Sequence, residues 1–157
     1  VIFFDSTLRK LDKGYSPFMQ EYADHLVAST CRIAKTRPVY LLRPLPEMPV
    51  DVPRAMVRAA QLERPADVVT TLATYHQRHA VTWAAQDKAQ TTCGAHLLNP
   101  LPYLCDGQYC QGADGGKPRY YDDNHMTETG NRRLVPLFAT ALGNALPSVA
   151  TGSEVRH

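Results

Sequence analysis

Much is missing from this chain of 157 residues. No apolar run approaches the length of about 20 residues that crosses a bilayer, so no membrane-spanning helix is predicted. No basic stripe is interleaved with aromatics. Lysine plus arginine stand at 17 against 15 acidic residues, a net charge of +2, which argues against a nucleic-acid partner. Asp114-Gly115-Gly116 lacks the Lys-Ser or Lys-Thr and the helix opening of a phosphate cradle, so it reads as turn chemistry. There is no internal repeat and no low-complexity stretch. The opening run Val1-Ile2-Phe3-Phe4 has no initiator Met and no positive segment before it. The expectation is therefore a piece of a longer polypeptide, entered on a strand. No serine sits on an evident tight strand-to-helix turn, where an acyl-transfer nucleophile belongs.

The remaining composition is that of an ordinary globular protein, 44% hydrophobic and 20% charged. One domain is expected over residues 1–147, with a disordered tail over 148–157. A chain of this length buries roughly 70% of the surface its unfolded form exposes.

The most informative stretch is Tyr120-Tyr121-Asp122-Asp123-Asn124-His125-Met126-Thr127. A carboxylate stands three positions before a histidine, just ahead of a predicted helix. Imidazole titrates near neutral pH and suits a general base. A carboxylate beside it fixes the tautomer and stabilises the imidazolium. The bland alternative is that an acidic residue merely decorates a helix N-terminus.

Four cysteines are present: Cys31, Cys93, Cys105 and Cys110. Between the last two lies Asp106-Gly107, which favours a turn that brings the sulfurs together. A Cys105–Cys110 disulfide is the expectation, and it would imply an oxidising compartment such as a periplasm or the cell exterior. Zinc is the rival reading, against which stand the lack of two closely spaced Cys pairs and of a nearby His at ligand spacing. Cys31 and Cys93 are left open as a second pair or two buried thiols.

Residues 17–34 read as a helix, with Ser16 as N-cap, Pro17 at N1, and Phe18, Tyr22, His25, Leu26, Ser29 and Ile33 recurring at three and four. Pro38-Val39-Tyr40-Leu41-Leu42 reads as a strand buried on both faces. Arg43-Pro44-Leu45-Pro46-Glu47-Met48-Pro49 is a rigid loop, since proline fixes φ and cannot donate to a ladder. Residues 52–63 form a shorter helix. Asp67 or Thr70 caps the next, to about residue 90, with Leu72, Tyr75, His76, His79 and Trp83 on one face. Tyr75 to His79 read as a partly buried helix rim rather than metal ligands, and Trp83 as core. Residues 95–98 are a third strand, followed by an Asn99-Pro100-Leu101-Pro102 loop. The last helix spans 128–145, capped by Thr127, with Leu134, Leu137, Phe138, Ala141 and Leu142 as its apolar face. Arg132-Arg133 are expected to face solvent. Alternating strands and helices point to an α/β protein with a parallel sheet. Ligands of such sheets bind beyond the strand C-termini. The 44–49, 99–103 and 122–125 loops should converge there.

Leu98-Asn99-Pro100-Leu101-Pro102-Tyr103-Leu104-Cys105, then Cys110, then Tyr120 through Gly130 resemble the last catalytic block of SGNH hydrolases. More narrowly, the pattern is similar to the SGNH domain fused to bacterial acyltransferase-3 membrane proteins, whose block reads Tyr-x-Asp-Asp-x-His-Leu-Ser-x-x-Gly. A short Cys–Cys loop precedes that block, and a Pro-x-Pro-Glu loop like Pro44-Leu45-Pro46-Glu47 follows a central strand. Met126 and Thr127 replace the usual Leu and Ser. The resemblance implies a three-layer α/β sandwich with a mainly parallel, flavodoxin-like sheet, incomplete at its N-terminal side. It implies Asp122 as orienting acid, Asp123 as runner-up, and His125 as general base. The family's Gly-Asp-Ser block is matched only by Phe4-Asp5-Ser6, without the glycine, so the nucleophile is expected on a preceding segment. Alone, the chain would then be inactive.

By the same resemblance the domain is periplasmic, joined to an N-terminal transmembrane acyltransferase domain. It would serve acyl, mainly acetyl, transfer between an acyl donor and a cell-surface polysaccharide or lipopolysaccharide acceptor, without cofactor or metal. A non-catalytic carbohydrate-binding or structural module is the alternative from another class.

Overall fold

The computed structural model describes residues 15–145. The expected strand at residues 1–4, Ser6, the side chain of Ser16 and the tail beyond Pro147 lie outside that description. In chain order the elements are α1 (Tyr15–Ala34), β1 (Tyr40–Leu42), α2 (Val52–Gln61), β2 (Val69–Thr71), α3 (Leu72–Cys93), β3 (His96–Leu98), α4 (Leu101–Leu104), β4 (Tyr109–Gln111), β5 (Ala113–Asp114), β6 (Lys117–Pro118), α5 (Glu128–Arg132) and α6 (Val135–Ala145).

The fold is α/β. β1 and β3 pair in parallel, Leu41 opposite Leu97. β2 pairs antiparallel with β4, and β5 with β6. Among the described residues the parallel sheet is thus two strands wide, where strand–helix alternation had predicted a mainly parallel one. Short links explain part of the difference. A connection of one to a few residues can only reverse the chain, whereas parallel neighbours need a long crossover. Gly115 and Gly116, both at positive φ (51° and 78°), make the two-residue reversal between β5 and β6. β1 is half-buried rather than buried on both faces, since β3 is its one ladder partner among the described residues.

Two apolar clusters hold the elements. One joins α1 to α3: Ala23 and Val27 cluster with Ala85, Ala89 and Ala95, with Leu41 and the Cys31–Cys93 disulfide at its margin. The helix at residues 15–34 forms, but its buried face is Met19, Ala23, Val27 and Thr30, while Phe18 and Ile33 are exposed. Small side chains let the two helices approach closely, so the seam selects them over bulkier neighbours. The other cluster gathers Met48, Val52, Val68, Leu104, Cys110, Tyr120, Met126 and Leu134.

Local chemistry sets the element ends. Asp51 caps α2, its carboxylate accepting the Arg54 N–H at 2.9 Å, with Pro53 in the first turn. Thr71, not Asp67 or Thr70, caps α3, taking the Thr74 N–H at 3.0 Å. α3 starts at Leu72, directly after β2, so the cap position falls on Thr71 and Asp67 and Thr70 stand too far back. On α3 the buried side chains are Tyr75, His79, Thr82, Ala85, Gln86 and Ala89. Trp83 is half-buried and carries the Arg43 guanidinium 3.9 Å above its ring. The segment after Asn99 is a helical turn rather than an open loop, started by Asn99 Oδ1 accepting the Leu101 N–H at 3.1 Å. The expected last helix is two. Pro136 lacks an N–H and its ring clashes with the carbonyl four residues back, so α5 ends and α6 begins anew.

Candidate active site

The 120–127 segment is closed by its own backbone. The Tyr121 N–H donates to the His125 carbonyl at 2.7 Å, and the Thr127 N–H to the Arg119 carbonyl at 2.8 Å. Within this loop the two Asp122 oxygens divide the work. Oδ1 accepts the backbone N–H of Asn124 (2.8 Å) and of His125 (2.7 Å). Oδ2 meets His125 Nδ1 at 2.6 Å. It is therefore Asp122, not its neighbour Asp123, that holds the ring. A neutral imidazole bonded this way carries its proton on Nδ1 and its basic lone pair on Nε2.

Burial alone would raise the Asp122 carboxyl. The backbone N–H groups of His125 and Asn124, and then the His125 ring, outweigh it and hold the carboxyl below the ordinary aspartate range. The carboxylate is thus charged at neutral pH, as an orienting acid must be. The ring itself is 65% exposed.

Three features fix the loop in place. Thr127 Oγ1 donates to the Pro118 carbonyl at 2.9 Å and accepts the Gly130 N–H at 3.2 Å, capping α5. Gly130 lies so close to the backbone of Arg119 that a Cβ there would collide with the Arg119 carbonyl oxygen. The 44–49 loop is bonded directly to the site: the Met48 N–H donates to the Asp123 carbonyl at 2.7 Å and the Val52 N–H to the Asp122 carbonyl at 3.0 Å. The third loop joins through Arg119 Nη1, which donates to the Leu104 carbonyl at 3.2 Å, and through Leu101 and Leu104, which share a core with Met48, Tyr120 and Met126. The three loops expected to converge do so.

Cys105 and Cys110 form a disulfide around the Asp106–Tyr109 turn, where the Asp106 N–H donates to the Tyr109 carbonyl at 2.9 Å. Cys31 and Cys93 form the second. No helix among the described residues is long and apolar enough to cross a membrane. Arg132 and Arg133 are both exposed, as expected, and pair on the surface with Glu128 and Asp114. Ser6 lies outside the described residues, so the geometry covers Asp122 and His125 alone.

The sequence pattern missed the groups next to this loop. Glu47 and Arg78 form an ion pair, and His79 is buried beside them. Glu47 was visible as the end of the Pro-x-Pro-Glu run; nothing in the spacing showed that α3 would meet it.

A family model described as "SGNH domain (fused to AT3 domains)" matches residues 4–140. No curated protein and no solved structure matches the chain.

Proposed function

From the premise that this chain belongs to the family of SGNH domains fused to AT3 domains, we propose that it is the extracytoplasmic domain of a membrane-bound acyltransferase and acts by a Ser-His-Asp mechanism. The 2.6 Å contact between His125 Nδ1 and Asp122 Oδ2 carries this reading. The two disulfides support an oxidising compartment, taken here as the periplasm. The described residues are read as the C-terminal part of a three-layer sandwich whose sheet is completed by preceding sequence.

In the proposed reaction His125 Nε2 takes the proton of a serine hydroxyl as its oxygen attacks the acyl carbonyl of the donor. The imidazolium is stabilised by Asp122, then passes that proton to the leaving group. Transfer reverses the roles. His125 takes the proton of an acceptor hydroxyl, whose oxygen attacks the acyl-enzyme, and returns it to the serine. With a sugar as acceptor the product is an O-acylated, chiefly O-acetylated, surface polysaccharide or lipopolysaccharide. With water it is the free acid, so exclusion of water decides between transfer and hydrolysis. The serine and its oxyanion donors are assigned to sequence preceding Val1.

The test is acyl transfer by the full-length polypeptide with and without His125→Ala. Turnover should fall by about 10²–10⁴-fold, the usual contribution of a general base, while acceptor binding is retained. The chain of 157 residues should leave a chromogenic acetyl ester intact. Robust hydrolysis by it, abolished by Ser6→Ala, would move the nucleophile to Ser6. A non-catalytic module is the second reading, favoured by one observation: His125 lines neither the cavity along Met56, Val68 and Asp114 nor the one along Glu47, Thr70 and Arg78. Full-length turnover indifferent to His125→Ala would select it.

A further inference from the structure

Three consecutive residues at the end of β1 are gripped by α3. The Leu42 carbonyl accepts an N–H of Gln86 Nε2 at 2.9 Å. The Arg43 guanidinium donates to the Trp83 carbonyl at 2.9 Å, to Gln86 Oε1 at 3.3 Å and to the Asp87 carboxylate. The Pro44 carbonyl accepts the Tyr75 hydroxyl at 2.8 Å. Each bond answers a need, because a buried guanidinium and a carbonyl past the end of a ladder both cost free energy when left alone. The Tyr75 hydroxyl has a single proton. Trp83 Nε1–H donates to its oxygen at 3.1 Å, which leaves that proton for Pro44. Tyr75 is fully buried, and its ring packs against those of His76, His79 and Trp83.

The chain beyond Pro44 is stiff. Pro44, Pro46 and Pro49 each hold φ at about −65°, and Pro46 and Met48 are buried. At its far end this strap meets the candidate catalytic loop. The Met48 N–H donates to the Asp123 carbonyl and the Val52 N–H to the Asp122 carbonyl. A strap held by α3 at residues 42–44 and by the loop at residues 48–52 has little freedom between its anchors. The place of Asp122, and of the ring on its Oδ2, is thereby referred back to α3.

We propose that Tyr75 is a positioning residue for His125, acting through the Pro44 carbonyl, the strap and Asp122. Its effect on turnover rests on the function proposed above; its effect on the place of the ring does not.

The experiment is Tyr75→Phe, which removes one oxygen and keeps the ring packing. In the chain, the His125 imidazole ¹⁵N resonances and the Nδ1 proton facing Asp122 should shift. Urea that lowers the stability of the natural chain by the same amount should leave them in place. In the full-length polypeptide kcat should fall about tenfold, inside the roughly 10²-fold that a 1 Å misplacement can cost, with KM unchanged. Should Tyr75→Phe fail to fold by circular dichroism, Trp83→Phe takes its place. That change removes the N–H that directs the Tyr75 proton and should move the same resonances. Unmoved resonances, resonances moved equally by urea, or a raised KM at constant kcat overturn the inference. If transfer needs His125 while Tyr75→Phe leaves the ring and kcat unchanged, the positioning fails and the reaction stands. If Tyr75→Phe shifts the ring while transfer ignores His125, the reaction fails and the coupling stands.

Discussion

Asp122 does two jobs with two oxygens, and a single substitution separates them. Asp122→Asn keeps an oxygen for the Asn124 and His125 N–H groups but can turn an amide N–H toward His125 Nδ1. The ring would then accept at Nδ1 and hold its proton on Nε2, the wrong tautomer for a base. Full-length activity should drop by about 10²–10⁴-fold with the loop intact by NMR. Stability adds an independent check. The folded carboxyl titrates below its unfolded value of 3.8, so its stabilisation is present above that pH and fades as pH falls through the folded value. Denaturant unfolding of Asp122→Asn against the natural chain should show a gap at pH 7 that closes as pH falls through the folded value; a gap independent of pH would deny the charge its part. At this scale the Asp-x-x-His pair was legible, because spacing of three in a tight loop brings two side chains together. The bonds to Asp122 Oδ1 were not, since they depend on backbone turns that many sequences share.

At the scale of the element, Gly130 and Thr127 place the loop. A methyl group at 130 would collide with the Arg119 carbonyl oxygen and meet Met126 Cε at 2.7 Å. Backbone cannot step aside as a flexible side chain can. Gly130→Ala should therefore cost about 1–3 kcal/mol in urea unfolding and displace the His125 resonances. An unchanged midpoint with unchanged resonances would refute that packing. The helices were mostly legible from periodicity, but their inner faces less so. Bulky Phe18 and Ile33 dominated the pattern of α1, yet the seam with α3 is built from Ala23, Val27, Ala85 and Ala89. Hydrophobicity ranks size, and close helix contact ranks smallness. β2 and β4, three residues each, are too short to leave a period. The break at Pro136 was readable in principle, since proline inside a helical pattern ends it.

Across the whole molecule, the alternation of elements gave the α/β class but not the pairing. Residues far apart in sequence, such as Thr70 and Cys110, meet only once every other element has been placed. The same holds for Cys31 and Cys93, whose partnership joins α1 to the end of α3. That bond has a mechanical meaning. A pull applied through the N-terminus, where the fused domain of the proposed parent would tug, leaves the backbone at Cys31, crosses one covalent step and re-enters at Cys93. β1, α2, β2 and α3 stay slack inside the bypassed circuit. With a force probe at each end, reductant should lengthen the stretched tether by roughly 230 Å, taking about 3.4 Å per residue over the 62-residue separation of this pair and the 5-residue separation of Cys105 and Cys110.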